Sequence, residues 1–235
     1  MSFIIGVHVN EGIVLASDRR KTHQNNIKSG DQVIHNFIHT SDSTDKTFLC
    51  PNQAGISYCG AADLMDKPIT GFIQNVIRER ISPDCKVADM PQIIIDYFNE
   101  FSEVPDTTFI IAGYDTIDSK KQQIMYSINT KHKNIHPLST SGQGAAWEGE
   151  THTLTRLIQN VAFKRSDGTY EDLPHEGILW NQFTLQDAVD FARYAVETTI
   201  QTMRFKNVRE TVGGKVDILV ITPDEAKWLQ KETLK

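Results

Sequence analysis

The chain has 235 residues and a formal net charge of −6, with 39 % hydrophobic and 23 % charged residues. This composition is typical of a globular protein that is long enough to bury a core without disulfides or metals. The acidic balance argues against a nucleic-acid-binding surface, and no apolar run approaches the roughly 20 residues of a membrane span. We therefore expect neither nucleic acid nor a membrane as a partner.

The cysteines and the first residues indicate the compartment. Cys50, Cys59 and Cys85 are odd in number and lack CxxC spacing, which fits a reducing environment. Residues 1–6 lack the basic start and long apolar core of a signal peptide. We expect a cytoplasmic protein.

The first third of the chain is predicted to be mostly strands. Residues 3–9 and 13–18 are rich in apolar and β-branched side chains and flank a turn sequence, which predicts a hairpin. Residues 21–45 are polar and predict an elaborated loop, or a mobile hairpin around residues 33–38. Two more strands are predicted on either side of Pro51-Asn52, at residues 46–50 and 55–59.

The rest of the chain alternates between pairs of helices and pairs of strands. The capping box of Thr184 and Asp187 opens the most clearly amphipathic helix. The other predicted elements are helices over 61–80 and after Asp89, strands at 109–114 and 123–129, a helix from Gly144 through Val161, an irregular stretch at 164–182, a strand at 216–221 and a short helix from Pro223.

This order of elements predicts the fold class. Strands come in runs and helices in runs, which favours helices packed on antiparallel sheets over alternating βαβ units. We predict an α+β protein, a four-layer αββα sandwich with two antiparallel sheets between helical layers. Because the sequence has no internal repeat and no linker, we interpret residues 1–235 as one domain.

Ser2 follows the initiator Met and immediately precedes a strand. Removal of Met1 would leave a serine whose hydroxyl and α-amine belong to one residue. An unperturbed α-amine has a pKa of about 7.7–8.0, so near neutral pH it can accept the proton of its own hydroxyl. We expect no further segment before Ser2, so that Met removal alone would expose the nucleophile.

A set of spaced residues accompanies Ser2. Gly6 lies four residues after Ser2, Asp18 sixteen and Thr22 twenty, and Gly60 lies fourteen residues after Lys46. The pattern resembles the opening of proteasome β-type subunits, which are N-terminal-nucleophile (Ntn) hydrolases. Later landmarks at 109–114, 142–144 and 212–218 match in order, so the resemblance covers nearly the whole chain. The 211–217 sequence and the extra residues within 23–45 resemble the bacterial proteasome homologues called Anbu.

The resemblance implies a role for each catalytic residue. Ser2 would be the nucleophile, and the Lys46 ammonium would lower the pKa of the Ser2 amine and stabilise the alkoxide. Asp18 would pair with Lys46, and the N–H of Gly60 would bind the oxyanion. Taken singly, Asp18 also fits a charged strand end, Lys46 a solvated lysine and Gly60 a turn. The joint spacing favours catalysis.

The resemblance also implies substrate-binding and supporting residues. The backbone of Thr22 and Gly60 would hold a peptide as an added strand. The side chains that match the family's specificity pocket are Lys21, Thr44, Phe48, Tyr58 and Ala62, and the aromatic pair among them suggests aromatic walls. The positions that would support the nucleophile depart from the family pattern, and the candidates there are Arg20, Ser141, Gln143, Arg209 and Glu210.

The sequence predicts a peptidase that acts on unfolded peptide or protein inside a homo-oligomeric ring or helical particle, with no metal and no cofactor. An unfoldase partner cannot be identified from the sequence. Two alternatives stay open at this stage. The altered supporting positions fit a non-catalytic assembly subunit of the same fold, and a monomer with an open site would fit an amidase for small molecules.

Overall fold

The computed structural model describes residues 2–29 and 32–232, and only the backbone of 24–29 and 32–40. The described strands are β1 (Phe3–Val9), β2 (Gly12–Ser17), β3 (Lys21–Ser29), β4 (Gln32–Ser41), β5 (Thr47–Leu49), β6 (Gly55–Gly60), β7 (Asp63–Leu64), β8 (Lys67–Pro68), β9 (Thr107–Ile117), β10 (Lys120–Asn129), β11 (Asn134–Leu138), β12 (Gly144–Gly149), β13 (Ala162–Lys164), β14 (Tyr170–Asp172), β15 (Asp217–Ile221) and β16 (Ala226–Gln230). The α-helices are α1 (Ile69–Arg80), α2 (Met90–Asn99), α3 (His152–Ile158) and α4 (Leu185–Arg204).

Two antiparallel five-stranded sheets form the centre of the fold. The first has the strand order β12-β1-β2-β15-β16 and the second β11-β10-β9-β6-β5. Helices α3 and α4 share an apolar cluster with the first sheet, and α1 and α2 share one with the second. A third cluster fills the space between the sheets. The predicted α+β class and four-layer αββα architecture are confirmed.

Strand β1 is buried on both faces, which explains its nearly continuous apolar sequence. Phe3, Ile5 and Val7 pack toward α4, whereas Ile4 packs between the sheets. A one-residue shift would exchange the two sets of side chains, so burial on both faces fixes the register of β1. Ser2 is thereby held at one end of a rigid strand.

Four predicted elements are wrong in whole or in part. The helix expected over 61–80 begins only at Ile69, because β7 and β8 pair in the residues before it. A strand, β12, occupies the start of the helix that we expected from Gly144, and the helix there is confined to His152–Ile158. The pairing of β12 with β1 overrides the helical preference of its small residues. The helix expected from Pro223 is replaced by a turn and β16, in which alternate residues face inward. The stretch at 164–182, expected to be irregular, contains β14 of the hairpin β13–β14.

The polar stretch after Asp18 forms a hairpin of β3 and β4, as one of the two predicted alternatives stated. In the described part of the chain, these strands pair only with each other. Lys21, three residues after Asp18, lies opposite Ser41. Both ends of the hairpin are therefore close to Asp18. In residues 2–29 and 32–232, every helix is too short or too polar to cross a membrane.

The predicted capping box at the start of α4 is confirmed and gives a stability prediction. The Thr184 hydroxyl accepts a hydrogen bond from the Asp187 N–H, and the Asp187 carboxylate accepts one from the Thr184 N–H. Thr184→Ala is expected to lower the free energy of unfolding by about 1 kcal/mol, because the first turn loses a cap. Urea denaturation measures the change. Thr198→Ala, inside the same helix, serves as the control, and an equal loss in both variants would contradict the prediction.

Candidate active site

The candidate site lies where the open ends of two hairpins meet. Ser2 precedes β1 and Asp18 follows β2, and these strands pair so that Ile4 lies opposite Ser17. Lys46 precedes β5 and Gly60 ends β6, and these strands also pair in antiparallel fashion. Each pair of residues, distant in sequence, is therefore adjacent in space.

Asp18 is the organising group of the site and is fully buried. Its Oδ1 accepts hydrogen bonds from the Lys46 ammonium at 2.7 Å and from the Phe3 N–H at 3.1 Å. Its Oδ2 accepts from the N–H groups of Arg20 and Gly213, both at 3.0 Å. Four donors satisfy a buried carboxylate that would otherwise be costly to desolvate.

Lys46 is 2 % exposed and forms an ion pair with Asp18. Burial lowers the pKa of the Lys46 ammonium, and the attraction of Asp18 opposes this effect. The charge of Lys46 therefore depends on its partner. A buried ammonium of this kind is able to stabilise a negative charge that develops on a neighbouring oxygen.

Ser2 is buried and borders the same small recess as Lys46 and Gly60. Its carbonyl oxygen accepts a hydrogen bond of 2.8 Å from the Glu150 N–H. The preceding residue, Gly149, has φ +91°, and a Cβ there would lie 1.9 Å from the Ser2 oxygen. Only glycine allows this close approach of the two chains.

Gly60 has the second positive φ in the site, +118°. A Cβ at this position would lie 2.4 Å from the carbonyl oxygen of Asp106, so a side chain is excluded. Gly60 itself is exposed and borders the recess. Backbone at such a position is accessible to a bound ligand.

The recess contains five of the six residues expected to bind substrate. It is lined by Ser2, Arg20, Lys21, Thr22, Thr44, Lys46, Tyr58, Gly60, Ala61 and Ala62. Phe48 is not among them, because its ring lies in the core beneath α1 and α2 and stacks on Tyr58. Only one of the two expected aromatic walls is therefore present. Through Lys21, Thr44 and Ala62 the recess adjoins a cleft of about 550 Å³.

The expected supporting residues are divided between two regions. Arg20 is near the site and forms ion pairs with Asp42 at 2.7 Å and with Glu210 at 2.8 Å. Arg209 lies beside Glu210 and is exposed.

Gln143 and Ser141 are not brought to Ser2. Strand β12 is antiparallel to β1, so Gly144 lies opposite His8 and Gly149 opposite Phe3. The side chain of Gln143 donates to the Trp180 carbonyl and accepts from the Asn10 N–H, at the far end of the sheet.

Sequence reasoning missed the residues that take the place beside Ser2. These are Gly149 and Glu150, at the end of β12. Thr211 contacts Ser2 only through Glu150, because its hydroxyl donates to the Glu150 carboxylate at 2.9 Å. Among the described residues, no three His, Cys, Asp or Glu side chains form a candidate metal site. The site is thus built from a serine, an ion pair and backbone groups.

Solved structures that are similar to this chain include two Anbu structures and one HslV structure. Anbu (ancestral beta-subunit) from Yersinia bercovieri matches with a TM-score of 0.56 and 12 % identity, over 98 % of this chain and 88 % of that chain. The Anbu (Gly-1) mutant from Hyphomicrobium sp. strain MC1 matches with a TM-score of 0.56 and 14 % identity, over 99 % and 86 %. Eukaryotic HslV from Trypanosoma brucei matches with a TM-score of 0.48 and 14 % identity, over 94 % and 99 %.

The chain therefore shares the fold of these two Anbu structures, the fold that the resemblance implied. Within that fold, the structures to which it is similar include two Anbu proteins. No protein-family model and no curated protein matches the sequence. At 12 % and 14 % identity the likeness concerns the fold, and the activity is inferred from the site.

Gly149→Ala tests the close contact behind Ser2. We expect the free energy of unfolding to fall by about 2 kcal/mol or more, because the new Cβ meets the Ser2 carbonyl and the backbone is left-handed. Gly142→Ala is the matched control, since a Cβ at Gly142 meets no atom within 4 Å. Urea denaturation of both variants measures the difference, and equal stability of the two would contradict the contact.

Proposed function

We propose that this chain is an Ntn peptidase in which removal of Met1 exposes Ser2 as the nucleophile. The observation that carries the proposal is the buried Asp18 carboxylate. It binds the Lys46 ammonium and the Phe3 N–H on one oxygen and thus fixes the ammonium next to the residue that follows Ser2. Gly60 borders the same recess.

The reaction would proceed by acylation of Ser2. The free α-amine of Ser2 takes the hydroxyl proton, directly or through a water, while Oγ attacks the peptide carbonyl. The C–O bond forms, and the carbonyl π electrons move to the oxygen. When the tetrahedral intermediate collapses, the C–N bond breaks, and the proton passes from the α-amine to the departing amine. Water then hydrolyses the ester, with the α-amine again accepting the proton.

The neighbouring groups stabilise the charges that develop. Once Met1 is removed, repulsion by the Lys46 ammonium would lower the pKa of the Ser2 amine, so that this amine would be neutral and basic. The ammonium also stabilises the developing alkoxide. The Gly60 N–H would donate to the oxyanion, where one donor is typically worth about 3–4 kcal/mol. Asp18 holds Lys46 in place.

The substrate that fits this site is an extended, unfolded peptide. Thr22 and Gly60 border the recess from two separate strands, so their backbone could hold a peptide as an added strand. The substrate side chain would enter between Lys21, Thr44 and Ala62 toward the adjoining cleft. We further propose that the chain assembles into a closed homo-oligomer in the cytoplasm, because enclosure would keep such a site away from folded proteins.

Intact mass spectrometry with a β-lactone probe tests the proposal. We expect the purified protein to lack Met1 and to gain one probe mass, located at Ser2 by peptide mapping. Ser2→Ala is the control and is expected to gain no adduct. Retention of Met1, or a wild-type chain that stays unlabelled, would contradict the peptidase.

A non-catalytic assembly subunit is the second candidate function. The observation that favours it is the placement of Ser141 and Gln143 at the far end of β12, away from Ser2. An unlabelled chain that still forms a large particle in light scattering would support this candidate. Labelling of Ser2 would exclude it.

A further inference from the structure

We propose that Thr211 and Glu150 are positioning residues for Ser2, joined by a hydrogen bond that fixes the main chain behind the nucleophile. This inference rests on the proposed function of Ser2. It concerns a pair of side chains that are not among the site residues predicted from the sequence. Neither residue would touch the substrate.

Two successive hydrogen bonds connect Thr211 with Ser2. The Thr211 hydroxyl donates to Oε1 of Glu150 at 2.9 Å, and the Glu150 N–H donates to the Ser2 carbonyl at 2.8 Å. Thr211 is 2 % exposed, so its hydroxyl has little access to water. A buried hydroxyl that donates to a carboxylate makes a strong, directional contact. Glu150 is thereby held by both its side chain and its backbone.

The loop that carries Thr211 also holds the other half of the site. Two residues later, the Gly213 N–H donates to Asp18, and the Gly213 carbonyl accepts from the Arg19 N–H at 2.9 Å. One short segment thus fixes both the Ser2 backbone, through Glu150, and the carboxylate that binds Lys46. Nucleophilic attack is sensitive to small displacements of Ser2 or Lys46, because the reacting atoms must be aligned closely.

The chemistry of the neighbouring positions explains why this pair carries the role. Val212, next to Thr211, has no hydroxyl, and its side chain is buried in the apolar cluster beneath α4. Gln143 is engaged at the other end of β12. Thr211 supplies a hydroxyl contact to Glu150, the residue whose N–H holds the Ser2 carbonyl.

Thr211→Val is the decisive variant, because valine keeps the volume and removes only the hydroxyl. A cleft of about 600 Å³ borders both Thr211 and Glu150, so water can hydrate the Glu150 carboxylate when the hydroxyl is removed. The variant therefore loses the directional contact without leaving a buried charge unpaired. We expect the saturating rate of Ser2 labelling by the β-lactone probe to fall about tenfold, with the probe's half-saturating concentration unchanged. Thr211→Ser, which keeps the hydroxyl, is expected to restore the rate.

The second set of variants changes the acceptor. Glu150→Gln retains an oxygen that can accept from Thr211 and is expected to label nearly as fast as the wild type. Glu150→Leu is expected to match Thr211→Val, and the double variant to be no slower than either single one, because both remove the same bond. These variants keep the test available if Thr211→Val does not fold.

Thr199→Val is the matched control, since Thr199 is another buried threonine whose hydroxyl donates to the Ala195 carbonyl within α4. Equal labelling rates for Thr211→Val and the wild type, or equal slowing in Thr211→Val and Thr199→Val, would overturn the positioning role. Both results leave the peptidase proposal intact. If the wild-type Ser2 is not labelled, the peptidase proposal fails, and this role in it fails too.

Discussion

Replacing Lys46 with Met is expected to slow the labelling of Ser2 about a thousandfold and to lower the free energy of unfolding by about 3 kcal/mol. The rate falls because the variant lacks the ammonium. In the proposed mechanism this one charge both stabilises the alkoxide and lowers the pKa of the Ser2 amine. Stability falls because Asp18 becomes a buried carboxylate without its cation, although three backbone N–H groups still donate to it. Probe kinetics and urea denaturation measure the two effects.

Lys215→Met is the matched control for Lys46→Met. Lys215 also pairs with an acid, Glu232 at 2.8 Å, but its side chain is 67 % exposed, so we expect changes within about 0.5 kcal/mol. Lys46→Gln provides a neutral side chain that still donates to Asp18, and it should fold even if the Met variant does not. Labelling of the Gln variant at the wild-type rate would contradict the role of the charge.

Replacing Arg19 with Met is expected to cost about 3 kcal/mol of unfolding free energy at pH 8 and clearly less at pH 5. Arg19 is buried and donates to Asp217 at 2.5 Å and to the Ser43 carbonyl at 2.8 Å. It also forms an ion pair with Asp45 at 2.8 Å. Burial raises the pKa of Asp217, and Arg19 opposes that rise. Without Arg19 the pKa of Asp217 should rise further.

The sign of the pH dependence follows from this raised pKa. Above it, Asp217 would be a buried anion that has lost its main partner, so the variant is strongly destabilised. Below it, the native state binds a proton that the unfolded state does not, and the cost shrinks. Urea denaturation at both pH values gives the difference between variant and wild type. Arg80→Met, which breaks an exposed pair with Glu100, is the control. A cost independent of pH would contradict the linkage.

Local patterns were sufficient to predict most of the architecture. The alternation of strand and turn in the first hairpin and the capping box of α4 each fix an element by themselves. The strands β12 and β16 escaped prediction for a common reason. Neither strand has a run of β-branched residues, and pairing with β1 and β15 decides their conformation. Such tertiary pairing has no signal in a short window of sequence.

The candidate site was predictable to the extent that strand pairing fixes it. Ser2, Asp18, Lys46 and Gly60 sit at the ends of two hairpins, so their spacing in sequence translates directly into proximity. Which residues hold the Ser2 carbonyl depends on which end of β12 lies beside Ser2. That register places Gly149, and not Gly144, opposite Phe3.

Phe48 shows a second limit of prediction from sequence. Thr47 directs its hydroxyl toward Ser17 and Ser57, so the next residue of β5 points to the opposite face of the sheet. Phe48 is therefore packed beneath α1 and α2. The parity of a three-residue strand cannot be read from its sequence.

The four donors to Asp18 have an implication for biosynthesis. Three of them come from positions 3, 20 and 46, but the fourth comes from Gly213, 195 residues further along. A nascent polypeptide lacks that last donor until residue 213 has been translated. The four hydrogen bonds to this carboxylate are therefore complete only after the segment around residue 213 has left the ribosome and folded against β1 and β2.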